Sequence, residues 1–150
     1  MTNWDQRFID LAEYISTWSK DHNTKVGAVI TNGHRIISVG YNGFPQGVND
    51  DIELRYERPQ KYQWTEHAER NAIYTAARFG ISVLGCTMYG FFPKGGPPCP
   101  DCARAIIQSG IQEIVVKRIH SEHEMYKDIQ HFSFTMLEEA GIKIRELSLI

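Results

Sequence analysis

The chain has 150 residues, 42% hydrophobic and 23% charged, which fits one globular domain able to bury roughly two-thirds of its unfolded surface. Its 16 basic and 18 acidic residues give a formal charge of -2, so nothing draws it generally onto DNA or RNA, although a local basic patch is compatible with that balance. Three cysteines make no disulfide framework, the start MTNWDQRFID lacks a basic-then-apolar signal peptide, and no apolar run approaches the roughly 20 residues of a membrane helix, so the expectation is a reducing cytoplasm.

Phe8, Leu11, Ala12, Ile15 and Trp18 recur at helical spacing behind Trp4, which predicts an amphipathic helix from about Trp4 to Ser19. The β-rich runs VGAVIT (26–31) and RIISVG (35–40) are linked by Asn32-Gly33-His34, and Asn-Gly favours a tight hairpin. From Tyr41 to Gln63 the pattern breaks. YNGFPQGVNDD is dense in Gly, Pro, Asn and Asp, which predicts a long loop of the kind that is often functional. A helix follows from about His67 to Phe79, stopped by Gly80. CTMYGFF (86–92) predicts a strand and PKGGPP (93–98) irregular chain. A short helix runs from about Pro100 to its stop at Gly110, and EIVVK (113–117) is a strand. A last helix covers about Ile129 to Ala140, and IKIREL (142–147) closes the chain as a strand. Strands alternating with helices beyond position 80 imply βαβ units and a layered α/β sandwich. No repeat, low-complexity tract or second domain interrupts residues 1–150.

Two cysteines two residues apart in PPCPDC (97–102) need partners. TEHAERNAI supplies His67 and Glu69 at the start of a predicted helix, and Cys99 and Cys102 start another. Thiolates gain at helix N-termini from unpaired N–H groups and the positive end of the dipole. His67, Cys99 and Cys102 are three good zinc ligands, and three protein ligands leave a fourth position for water, the catalytic pattern. Glu69 follows His67 by two residues, so both reach one pocket only if the helix begins close to His67. Zinc lowers the pKa of its water towards about 7. Glu69 can then take that proton and deliver it elsewhere. The composite H-x-E…P-C-x-x-C resembles the signature of zinc nucleobase deaminases. Two other readings of the cysteines stay open: a thioredoxin-like redox pair, and a structural zinc site with Cys86 as fourth ligand. Cys86 lies in the apolar LGCTMYG, where a small buried side chain is the simpler account. His120 and His123 in HSEHE read as a solvated segment that can line the site's rim rather than as a second metal site.

SKDHNTKVGAVI (19–30), GYNGFPQG (40–47), HAERNAI (67–73), CTMYGFF (86–92), PCPDCARAIIQSGI (98–111) and LEEAGI (137–142) together resemble the deoxycytidylate (dCMP) deaminase family, in its order and over nearly the whole chain. HAE and PCxxC are common to the wider cytidine deaminase superfamily, whereas SKD…VGAVI and GYNGFPxG point to the dCMP branch. The resemblance implies a three-layer α/β/α sandwich around a mixed sheet of about five strands. It implies hydrolysis of dCMP to dUMP and ammonia with one catalytic zinc ion on His67, Cys99 and Cys102. Hydroxide on that zinc attacks C4, and Glu69 shuttles protons to N3 and to the leaving amine. Asn42, from GYNG, would bind the sugar. Lys25, Ala68 and Arg70 are further candidate substrate contacts, and Lys20 and Lys127 further cations for a phosphate. Members are often hexamers, so a homo-oligomer (hexamer or dimer) is expected, and many are switched on by dCTP and off by dTTP.

Three features depart from the family pattern. GFFPKGGPPC adds about four residues before the cysteines, beside the base. Arg70 stands where an apolar residue is common and can grip a phosphate or pair with an acid. HSEHEMYKD differs from the stretch that often helps define the nucleotide site. Alternatives are therefore a deaminase of another free base, nucleoside or modified cytosine nucleotide, a tRNA-editing deaminase, and a zinc-stabilised nucleotide-binding module. The tRNA-editing reading would call for a basic face, and GYNGFP speaks against it.

Overall fold

The computed structural model describes residues 3–121 and 127–147. Its elements in chain order are α1 (Trp4–Ser16), β1 (Gly27–Asn32), β2 (Arg35–Tyr41), α2 (Lys61–Trp64), α3 (Ala68–Arg78), β3 (Thr87–Phe91), α4 (Pro100–Ser109), β4 (Glu113–Val116), α5 (Lys127–Glu139) and β5 (Lys143–Glu146). The five strands form one sheet in the order β2-β1-β3-β4-β5. β1 is antiparallel to both β2 and β3, while β3, β4 and β5 run parallel.

Alternation along the central strands divides the core between two faces. Val29, Tyr89 and Val115 meet Phe8, Ile9 and Ala12 of α1 on one side. Ala28, Ile30, Met88, Ile114 and Val116 meet Ala72, Ile106 and Leu137, from α3, α4 and α5, on the other. This is the expected three-layer α/β/α sandwich around a mixed sheet. No helix among the described residues is long and apolar enough to cross a membrane.

Two glycines set how closely the helices approach. A Cβ on Gly27 would fall 1.9 Å from the Ala12 carbonyl oxygen, so α1 lies directly on β1. A Cβ on Gly40 would fall 2.4 Å from the Ala68 carbonyl oxygen and 2.5 Å from the Ala72 nitrogen. β2 thereby seats the first turn of α3.

α1 ends at Ser16, not near Ser19. The Ser16 and Thr17 hydroxyls donate to the Glu13 and Tyr14 carbonyls at 2.5 and 2.6 Å, and Ser19 donates to the Asn42 carbonyl at 2.7 Å. Such local bonds offer the backbone an alternative to another helical turn. The segment expected to be a loop up to Gln63 contains a 3-10 turn at Glu53–Tyr56 and the four-residue α2. It is pinned by backbone bonds between Gly43 and Glu66 of 3.1 and 2.8 Å and by Phe44 stacked on Tyr56.

Candidate active site

His67 and Cys99 occupy equivalent places, each the extended residue immediately before a helix, with φ/ψ of -77/152° and -63/164°. α3 therefore starts where the two-residue spacing of His67 and Glu69 requires. Pro100 takes the first position of α4, where its missing N–H is no loss. Neither His67 nor Cys99 spends its side chain on capping, so both are free to project from the helix ends.

His67 Nδ1 lies 3.3 Å from Cys99 Sγ and 3.4 Å from Cys102 Sγ. The three donor atoms all fall within 4.8 Å of one another. A tetrahedral zinc with bonds of about 2.0–2.3 Å holds neighbouring N and S ligands about 3.5 Å apart. The donor set fits that ion, with one direction open. Cys86 is not in the group; it is 1% exposed in the apolar core, and burial raises its pKa. His120 is outside it too, its ring 5.9 Å from that of Phe134. His123 lies outside the described residues.

The two thiols share charge unequally. The bond from Cys102 and then that to His67 outweigh burial and bring the Cys99 pKa down to about 4. Cys102 is pushed up by its bond to Cys99 and by burial. The bond to Cys99 raises His67, against burial. A divalent cation on these atoms would displace the proton the thiols share. Glu69, 3% exposed, is not a member of the donor group. Burial first, and then the negative charge on Cys99, raise its carboxyl above the ordinary range. A carboxyl poised upward in this way suits proton transfer in both directions.

His67, Cys99 and Glu69 open onto a cavity of ≈ 590 Å³, within the usual size of small-molecule sites. Ala68, fully buried, and Arg70 line it, as does Asn42. Asn42 Oδ1 accepts from the Val26 N–H and its Nδ2 donates to the Thr24 carbonyl, both at 2.8 Å. Each end of the amide still has capacity for one more bond. Arg70 Nε bonds Glu66 at 2.5 Å, and its guanidinium lies 3.7 Å from Asp101, so the acid partner expected as one of two possibilities is present. Lys25 is not part of the lining; its ammonium donates to the Ser19 carbonyl at 2.7 Å. Lys20 pairs with Asp50 and Asp51, and neither it nor Lys127 lines the cavity. The structure adds lining residues that sequence reasoning missed: Asp21 and Lys61, paired at 3.0 Å, then Arg58, Gln130 and Ser133. Only the SKD motif hinted at Asp21; Lys61 and Arg58 sit where the chain shows no periodicity.

Residues 2–118 match the family described as the cytidine and deoxycytidylate deaminase zinc-binding region. An uncharacterized deaminase in the luxG 3′ region of Aliivibrio fischeri is 39% identical over 150 residues, covering 99% of this chain and 97% of that protein. Human deoxycytidylate deaminase is 39% identical over 120 residues, which are 75% of this chain and 63% of the human protein. The chain thus spans just under two-thirds of the human enzyme. The crystal structure of the dCMP deaminase of cyanophage S-TIM5 in complex with dCMP and dUMP superposes with a TM-score of 0.74 at 24% identity, over 95% of both chains. At that identity it supports the fold alone.

Proposed function

The chain belongs to the cytidine and deoxycytidylate deaminase zinc-binding family, and from that premise we propose that it hydrolyses dCMP to dUMP and ammonia as one domain spanning residues 1–150. The observation that carries this reading is a three-donor cluster at two helix starts with buried Glu69 beside it, open to a nucleotide-sized cavity. The curated relatives called deoxycytidylate deaminase support the choice of dCMP.

His67, Cys99 and Cys102 would hold the zinc, which when bound would supply an acidified water as nucleophile at neutral pH. Glu69 would accept one proton from the attacking water as its oxygen bonds C4, and pass it to ring N3, making C4 more electrophilic. Glu69 would then take the second proton, from the new C4 hydroxyl, and deliver it to the amine, so that the C4–N bond breaks, ammonia leaves and C4 keeps a carbonyl oxygen. Burial keeps Glu69 out of bulk water, so the proton it holds goes to the substrate rather than to solvent. Asn42 uses its spare amide capacity on the sugar, and its bonds to Thr24 and Val26 fix its orientation. Ala68 packs against the base, Arg70 steers the phosphate from its acid pair, and Lys25 acts from outside the cavity by fixing Ser19, whose hydroxyl bonds the Asn42 carbonyl. The reaction belongs in a reducing compartment such as the cytoplasm, where both thiols stay available to metal. Exposed Tyr14, Trp18 and Tyr41, in edge contact, support a homo-oligomer, a hexamer or dimer, on which dCTP and dTTP act as effectors.

The test follows ultraviolet absorbance of zinc-loaded protein with dCMP, with Glu69→Ala as control. Loss of the cytosine band in the wild type alone is expected. No loss with dCMP refutes this substrate. Loss with a modified cytosine nucleotide instead would favour the second reading, which rests on the lengthened loop before Cys99. Light scattering and rate titrations with dCTP and dTTP check the assembly and effector proposals.

A further inference from the structure

Gln130 and Ser133 lie three residues apart on α5, hence on one face of it. Both line the cavity that holds His67, Glu69 and Cys99. Ser133 is 0% exposed, yet its Oγ has no hydrogen-bond partner, and neither has the shielded Nε2 of Gln130. Among the described residues Thr31 Oγ1 is the one other buried side-chain polar atom in that state. Buried polar atoms are nearly always paired, so each exception asks what its partner is in the working protein. Here two exceptions share one cavity wall.

The lengthened 93–98 loop borders the same spot. A Cβ on Gly96 would come within 3.3 Å of Gln130 Nε2. Glycine there leaves open the space in front of the amide. α5 lies beyond the 2–118 segment that matches the family's zinc-binding region.

α3, with Glu69, lies over β1 and β2, and α4 contacts both α3 and α5. A cytosine with C4 at the metal donors and N3 at Glu69 has its C5–C6 edge on the side opposite N3, so the rest of the nucleotide meets the cavity walls, to which α5 contributes Gln130 and Ser133. We infer that Gln130 and Ser133 form a hydrogen-bonding subsite for an acceptor oxygen on this side of the bound nucleotide and thereby help determine specificity. That oxygen belongs either to the phosphate or to a substituent at C5. Gln130 donates through Nε2 and Ser133 through its hydroxyl.

The inference rests on the cytosine-nucleotide reading above, and calorimetric titration of zinc-loaded protein with the product-type ligands dUMP, deoxyuridine and 5-hydroxymethyl-dUMP separates the two. Gln130→Leu and Ser133→Ala should each weaken binding about fivefold to tenfold. If the oxygen is the phosphate's, dUMP weakens and deoxyuridine does not. If it is a C5 substituent's, 5-hydroxymethyl-dUMP weakens and dUMP does not. The Tm of both ligand-free variants should equal or exceed that of the wild type, because an unpaired polar atom is removed. Ser133→Ala, the smaller change, carries the test alone if Gln130→Leu does not fold. Unchanged affinity for all three ligands, or a lower Tm with unchanged affinity, overturns the subsite. A wild type that binds none of the three refutes the nucleotide reading and the subsite with it.

Discussion

Lys61→Met tests the ion pair that joins α2 to the loop before β1 in the cavity wall. Lys61 Nζ lies 3.0 Å from Asp21 Oδ2, and each side chain is 7% exposed. Asp21 Oδ1 also accepts the N–H groups of Asn23 and Thr24 at 2.8 and 2.9 Å. Burial pushes the Asp21 carboxyl up, but these N–H groups and the Lys61 ammonium outweigh it and hold it below its ordinary 3.8. Methionine keeps the apolar stem and removes the charge, leaving a buried carboxylate without a cation. Breaking a buried pair from one side costs about 3–5 kcal/mol, and the two retained N–H bonds place this case near 3 kcal/mol. At roughly 0.3 kcal/mol per kelvin of unfolding entropy for this length, Tm should fall by about 10 °C. Adding Asp21→Asn keeps a side-chain oxygen for both N–H groups but leaves no buried charge, and it should restore most of the loss. Because the folded pKa of Asp21 is depressed, the pair's contribution is complete above 3.8 and is lost as pH falls through the folded value. The gap between wild type and Lys61→Met should therefore be full at neutral pH and close in acid. Scanning calorimetry at fixed zinc and protein concentration measures all of this. A Lys61→Met Tm within about 3 °C of the wild type, or a double variant no better than the single, would refute the charge argument.

Gly40→Ala should destabilise by about 1–3 kcal/mol and lower the bound zinc measured by atomic emission, because its Cβ meets the Ala68 carbonyl at 2.4 Å and displaces the end of α3 that carries His67. Chelation should abolish deamination and lower Tm together, and added zinc should restore both, since the metal binds the folded state. Cys86→Ala should leave zinc stoichiometry unchanged, which atomic emission checks, because Cys86 is outside the donor group. Arg145→Met should cost about 1 kcal/mol at neutral pH by urea unfolding. Arg145 bonds Asp5 at 2.7 Å and is the largest cause of the lowering of Asp5 below 3.8, so that cost should vanish as pH falls through the folded value.

The candidate zinc-donor cluster was legible in the chain because its chemistry depends on local signals. A histidine and a cysteine each stand at a helix start, and the residues that start those helices, Glu69 in the first turn of α3 and Pro100 in α4, are neighbours in sequence. β3 and β4 were equally legible, since their centres are buried on both faces and read as near-continuous apolar sequence. What stayed hidden depends on distant partners. α2 has four residues, too few to show a helical period, and Lys61 is buried only because Asp21, 40 residues earlier, arrives beside it. Lys25 lies close to β1 in sequence, but its direction is set by the Ser19 carbonyl, which is in place only because α1 ends early.

The same division separates reaction from selectivity. The groups proposed to make and move protons stand at the starts of α3 and α4 and are positioned by glycine contacts and helix starts that tolerate little change. The walls that meet the rest of the ligand come from the 93–98 loop, α2 and α5, which reach the cavity from separate parts of the chain. On the proposed reading, substitutions there should alter hydrogen bonds to the nucleotide without moving His67, Cys99 or Cys102. A change of substrate in this scaffold should therefore arise at positions such as Gln130 and Ser133 well before it arises at His67, Glu69 or the cysteines.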